Sequence, residues 1–135
     1  MSRVFVDTGF WIALELRADQ FHDAARLLWT EVQSKPYQFY TTWLVFSETV
    51  AFFQSRGAHE KAVDLGEHLL ESPEIEMIPL DEALLRRGWD LLRRHADKAW
   101  SLADCVSFVV MREHSIPEAL AFDRHFEQAG FRRLM

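Results

Sequence analysis

A single cysteine, Cys105, occurs among the 135 residues. An internal disulfide is therefore excluded, and nothing points to an oxidising compartment. No apolar run reaches the ~18 residues a membrane-crossing helix needs. The first residues pass straight into a strand-like segment, with no secretory leader pattern. A cytoplasmic protein without membrane contact is expected. No GxGxxG and no GxxxxGKS or GxxxxGKT is present, which argues against a dinucleotide-binding fold and a P-loop NTPase. The six histidines show no HxxxH and no Cys/His ligand spacing, so they predict no metal constellation. Ser47 and Ser101 lack a GxSxG context. Cys105 reads as a small core residue, since no base partner is evident. Repeats, linkers and low-complexity segments are absent as well.

Positive charge is also in short supply, with a net charge of −6. That balance argues against non-specific coating of nucleic acid, unless several of the acids gather around cations. The basic residues cluster as Arg86-Arg87, Arg93-Arg94-His95, Arg124-His125 and Arg132-Arg133. Solvated helix faces and helix C-terminal charges account for most of these. Arg124 and His125 directly follow an acid, Asp123, and are candidates for contact with a substrate phosphate, as is Arg93.

What is present is a dense apolar chain, 49% hydrophobic, with eleven Phe and five Trp. That suits one domain over 1–135, long enough to bury a real core. Strands are expected at 3–7, 37–41, 75–78 and 118–122, with a fifth edge strand near 131–134. Helices are expected at 8–16, 22–33, 43–54 (ended by Gly57), 60–70, from the Asp81 cap to about 95, and from Ser101 to 112. A short helix precedes Gly130. Short apolar strands alternating with helices predict an α/β sandwich with a parallel sheet covered on both faces. Ligands of such sheets bind at the carboxyl ends of the strands. The aromatic first half, including Phe10, Trp11, Phe39, Tyr40, Phe52 and Phe53, reads as core rather than interface.

Four acids border these apolar runs: Asp7 after Val4-Phe5-Val6, Glu48 after Trp43 to Ser47, Asp104 after Leu102-Ala103, and Asp123 after Ala119 to Phe122. Burying a carboxylate is costly unless it is paired or binds a metal. Each acid also fits a plainer role. Asp7 can cap the first helix, and the two roles are compatible. Glu48 has Leu44, Val45, Ala51 and Phe52 as its helical neighbours, which puts it on the apolar stripe or at its edge. Asp104 completes an imperfect capping box with Ser101. Asp123 can cap a turn. Asp97 lies in a polar loop that can rim the same site. An oxygen-only donor set suits a hard ion, Mg²⁺ or Mn²⁺.

The spacing and flanks of these acids resemble the PIN domain, in particular the VapC-type toxins of bacterial toxin–antitoxin pairs. Four blocks carry the resemblance across nearly the whole chain: Val4 to Trp11, Thr41 to Glu48, Asp97 to Cys105 with the following run to Arg112, and Ala121 to Phe126 with Ala129-Gly130-Phe131. The resemblance implies an α/β/α sandwich with a mainly parallel sheet of four or five strands. It implies a Mg²⁺- or Mn²⁺-dependent endoribonuclease acting as a toxin. Asp7, Glu48, Asp104 and Asp123 fall on the family's acidic positions and are the implied catalytic and metal-binding residues. Asp97 matches a frequent further acid. Thr8 is expected to offer its hydroxyl or backbone to a bound water. Implied partners are an RNA substrate, a small cognate antitoxin and a second copy of the chain in a homodimer. Two alternatives stand beside the toxin: another PIN nuclease that processes RNA or cuts structured DNA, and a catalytically silent PIN-like binding module.

Overall fold

The computed structural model describes residues 2–134; the two ends of the expected domain, Met1 and Met135, lie outside the described residues. Five strands form one sheet: β1 (Ser2–Val6), β2 (Tyr37–Thr42), β3 (Ile75–Ile78), β4 (Glu118–Leu120) and β5 (Arg132–Arg133). The sheet order is β3-β2-β1-β4-β5 and every pairing is parallel. The helices are α1 (Thr8–Glu15), α2 (His22–Gln33), α3 (Trp43–Ser55), α4 (His59–Glu71), α5 (Glu82–Arg94), α6 (Leu102–Glu113) and α7 (His125–Gln128). This is the expected α/β/α sandwich with five strands.

β1 is the central strand, and Val4, Phe5 and Val6 are fully buried. A strand covered on both faces must be apolar at consecutive positions, not alternating ones. Phe39 of β2 meets Trp29 of α2, ring centroids 4.8 Å apart. Phe5 and Tyr40, paired in register, face the other way. Phe5 lies 6.2 Å from Phe126, which in turn meets Phe108 of α6 edge-on at 5.0 Å. The aromatic residues thus fill both interlayer spaces, and Phe10, Trp11, Phe39, Tyr40 and Phe53 are core while Phe52 is half-buried.

Local chemistry fixes the helix ends. Thr42 accepts the Val45 N–H at 3.1 Å and Asp81 accepts that of Leu84 at 2.8 Å, each satisfying an otherwise unpaired first-turn donor. α3 closes on Gly57 at φ +71°. The Ala58 N–H bonds to the Phe53 carbonyl and the Gly57 N–H to that of Gln54, the pairing of a Schellman turn that favours glycine at its left-handed position. Gly130, at φ +97°, closes α7 in the same way.

Two boundaries differ from the expectation in ways that matter for the site. β1 stops at Val6, leaving Asp7 outside the strand in the N-cap position of α1. β4 stops at Leu120, not at Phe122, so Asp123 lies in the bend beyond it. The last rung between the two strands is the bond from the Asp7 N–H to the Leu120 carbonyl at 3.1 Å, and beyond it both segments leave the sheet, Asp7 into α1 and Ala121 into the bend.

Candidate metal centre

The chain runs outward from β1 to β2 and β3, then crosses back to β4 and β5. The β1/β4 junction is therefore the point where the winding reverses, and crevices form there at the carboxyl ends of the strands. Asp7 follows β1 at this point. Asp123 follows β4. Asp104 sits in the first turn of α6, and Glu48 in the second turn of α3, the helix that follows β2 directly. Four separate segments thus deliver one acid each to the same edge of the sheet.

Asp7 is buried, 6% exposed. Although it occupies an N-cap position, its side chain makes no cap hydrogen bond. Burial holds its carboxyl well above the usual carboxylate range. The charges of Asp104 and Asp123 push the same way, the Thr8 backbone opposes, and Glu48 adds a smaller upward push. Glu48 stands at the exposed rim of the site. This corrects its expected place on the apolar stripe: α3 turns Val45, Thr49 and Phe53 into the core instead. Its partial shelter raises its pKa, a hydrogen bond from the Thr8 hydroxyl at 3.0 Å lowers it, and Asp104 raises it again. The Thr8 hydroxyl proton is therefore committed to Glu48.

Asp104 is buried and completes the capping box in full. The Ser101 hydroxyl accepts the Asp104 N–H at 3.0 Å, and Asp104 Oδ2 accepts the Ser101 N–H at 3.0 Å. The shorter Asp side chain closes the box as a Glu would. Asp123 Oδ1 accepts the backbone N–H of His125 at 2.9 Å. This turn, of the kind Asp side chains favour, swings the His125 ring back towards α6. His125 Nδ1 then lies 2.8 Å from Asp104 Oδ2 and 3.7 Å from Asp123 Oδ1. Among the described residues, ligand atoms of Asp104, Asp123 and His125 all lie within 4.8 Å of one another.

That placement corrects the expectation that no histidine joins a metal cluster, since the His125 ring faces two of the four acids. Its candidacy for contact with a substrate phosphate is unaffected. The signal in the sequence was the Asp123-x-His125 spacing, because a turn closed by the acid brings the residue two positions later back over the site.

The other candidates lie elsewhere. Asp97 is exposed and pairs only with its neighbour Lys98 at 3.4 Å. Arg93 is held by Asp90 at 2.6 Å on the outer face of α5. Arg86 pairs with Glu82, Arg87 with Glu113, Arg94 with Asp90, Arg132 with Glu118 and Arg133 with Glu127. Arg124 is exposed at the mouth of the site, with no ion pair among the described residues. Cys105 is fully buried, and burial pushes its thiol up to about 11, so it packs and does not react.

Among the described residues, His125 is the one basic group that contacts these acids. Carboxylates so placed repel one another, and either protons or cations must relieve the charge. A buried Asp7 with no cap bond, facing three further acids, has the donor chemistry of a cation site. The oxygen donors fit a hard divalent ion.

The family described as PIN domain matches residues 4–132. The chain is 37% identical over 129 residues to the 23S rRNA-specific endonuclease VapC20 of Mycobacterium tuberculosis, in two strains, covering 95% of either chain. The crystal structure of that protein, described as a sarcin-ricin loop cleaving toxin, superimposes with a TM-score of 0.86 at 35% identity, again over 95% of both chains. FitAcB from Neisseria gonorrhoeae shares the fold, with a TM-score of 0.65 at 19% identity over 98% of this chain and 96% of that one. By fold, by length of match and by likeness to VapC20, this chain belongs to the PIN domain family.

Proposed function

We propose that the protein is a divalent-metal-dependent endoribonuclease that hydrolyses RNA phosphodiester bonds, and that it is the toxin of a toxin–antitoxin pair. The observation that carries this reading is the convergence of the charges of Asp104, Asp123 and Glu48 on the buried carboxyl of Asp7 at the β1/β4 switch point, with Asp104 acting on Glu48 as well. Likeness to a 23S rRNA-specific endonuclease over nearly all of both chains supports ribosomal RNA as the substrate class.

In this reading Asp7 and Asp104 hold the best-bound Mg²⁺ or Mn²⁺, while Glu48 and Asp123 hold a second ion or the waters around the first. Such an ion supplies a water of lowered pKa and stabilises charge developing on the phosphate. The chain does the rest. The capping box fixes Asp104 at the start of α6. Thr8 aims Glu48 and favours its ionised form. Asp7 would offer its carboxyl to the cation from the buried end of β1. Arg124, exposed at the rim, attracts the RNA backbone.

The remaining parts of the reading are a single PIN domain over 1–135, a small cognate antitoxin, a homodimer and action in the cytoplasm. Likeness to a protein described as a toxin supports the antitoxin, since a cell that makes a toxin must neutralise it.

Cleavage of ribosomal RNA by purified protein with Mg²⁺, Mn²⁺ or EDTA, beside Asp104→Asn, tests the activity. Discrete fragments that need the metal and vanish in a folded mutant are the expected result. Equal cleavage by the mutant, or in EDTA, would overturn the assignment.

A further inference from the structure

Asp104 uses its two carboxylate oxygens unequally. Oδ2 receives two N–H donors, the Ser101 backbone at 3.0 Å and His125 Nδ1 at 2.8 Å. Among the described residues no donor reaches Oδ1. An ionised carboxylate has no proton to give, so an imidazole nitrogen 2.8 Å from one of its oxygens is the donor, two facing lone pairs being repulsive. In this arrangement His125 Nδ1 is a donor, and its lone pair is not available to a cation. The same residue is anchored from behind by its backbone N–H on Asp123 Oδ1 at 2.9 Å. It therefore ties the acid of α6 to the acid that follows β4.

We propose that His125 is a positioning residue for the metal centre. Its Nδ1–H, together with the Ser101 N–H, commits Asp104 Oδ2 to the protein and so presents Oδ1 to the cation. The proposal rests on the metal-dependent reading above. Polar groups that orient a ligating side chain typically contribute 10–100-fold to metal affinity. Here the usual order is reversed, with an imidazole orienting a carboxylate. Among the described residues, half-exposed Asp123 accepts one hydrogen bond, from the His125 N–H, where Asp104 Oδ2 accepts two.

The test separates positioning from direct ligation by choice of substitution. His125→Asn keeps an N–H donor near the place of Nδ1 but has no basic nitrogen. His125→Ala has neither. Mg²⁺ and Mn²⁺ are titrated calorimetrically into the full-length protein and each variant, with thermal melting to confirm folding. His125→Ala is expected to weaken Mg²⁺ binding at least about tenfold, and His125→Asn to recover most of that loss. If His125→Ala binds Mg²⁺ like the wild type, the positioning role is wrong. If His125→Asn is as weak as His125→Ala and also loses Mn²⁺ preferentially, the imidazole is itself a ligand and the proposal falls. Wild-type protein that binds neither ion overturns the metal-dependent reading itself, an outcome distinct from either of these.

Discussion

The hydroxyl of Thr8 donates to Oε1 of Glu48 across 3.0 Å, linking the first turn of α1 to the second turn of α3. The bond favours the ionised form of Glu48, against partial burial and the charge of Asp104. Thr8→Val keeps the shape and removes the donor. A partly solvated hydrogen bond to a charged group is worth roughly 1 kcal/mol, or about fivefold in an equilibrium. Thr8→Val is thus expected to move the Glu48 titration to higher pH in the metal-free protein and to weaken Mg²⁺ binding about fivefold. Carboxyl-resolved NMR titration and calorimetry read the two effects. An unmoved Glu48 would mean that the bond has no energetic weight.

Asp7 makes stability depend on pH with a definite sign. Its folded pKa lies above the unfolded value of about 3.9, so the folded state holds the proton more tightly. Its contribution favours folding fully below about pH 4 and is lost as pH rises through the raised folded value. In EDTA, Asp7→Asn removes this dependence. The melting temperature of Asp7→Asn relative to wild type should therefore be higher at about pH 8 than at about pH 5. Mg²⁺ should raise the wild-type melting temperature at the higher pH and leave that of Asp7→Asn nearly unchanged. A mutant offset identical at both pH values would show that Asp7 is not the strained acid.

Much of this was legible in the sequence because its signals are local. Val4-Phe5-Val6 can only be a strand covered on both sides, and Asp81 and Ser101 announce helix starts. The errors arise where the deciding contact is tertiary. α3 is apolar nearly all round, so periodicity could not tell whether Glu48 faces the core or its rim; packing turned Val45, Thr49 and Phe53 inward. β4 ends early because its pairing partner β1 ends at Val6 and turns into α1, leaving nothing for Ala121 and Phe122 to pair with on that side. His125 joins the acids through a turn closed by Asp123, which no 3.6- or 2-residue period records. The four acids themselves stood out because a charge beside an apolar run is a local anomaly.

The helix that carries Asp104 is held close to α5 at Gly88. A Cβ at Gly88 would overlap Val106 Cγ2 and lie 3.1 Å from the Val106 Cα and N. Alanine in a helix is ordinarily about 1 kcal/mol better than glycine. Overpacking against a backbone that cannot yield costs about 1–3 kcal/mol, so the clash wins. Gly88→Ala is expected to lower the melting temperature by several degrees. It should also reduce metal binding, since Val106 is two residues from Asp104. A stabilised variant would show that α5 and α6 can part without cost.

Arg124 and Arg93 were both candidates for holding the RNA backbone, and their surroundings now separate them. Arg93 is pinned to Asp90 at 2.6 Å on the outer face of α5, so its side chain is held there and its charge is partly offset by a carboxylate it shares with Arg94. Arg124 immediately follows Asp123, is exposed, and has no ion pair among the described residues. An unpaired cation beside an acidic centre serves a polyanionic substrate by offsetting the repulsion that the acids exert on the incoming phosphates. One phosphate contact to a single strand contributes about 0.7 to the slope of log affinity against log salt. Arg124→Ala should weaken binding of a ribosomal RNA fragment severalfold at low salt and flatten that slope by about 0.7. Arg93→Ala should leave both nearly unchanged. Binding is best measured with Asp104→Asn protein, so that cleavage does not consume the probe. Equal losses for the two arginines would mean that RNA approaches across α5 and not over the carboxyl edge of β4.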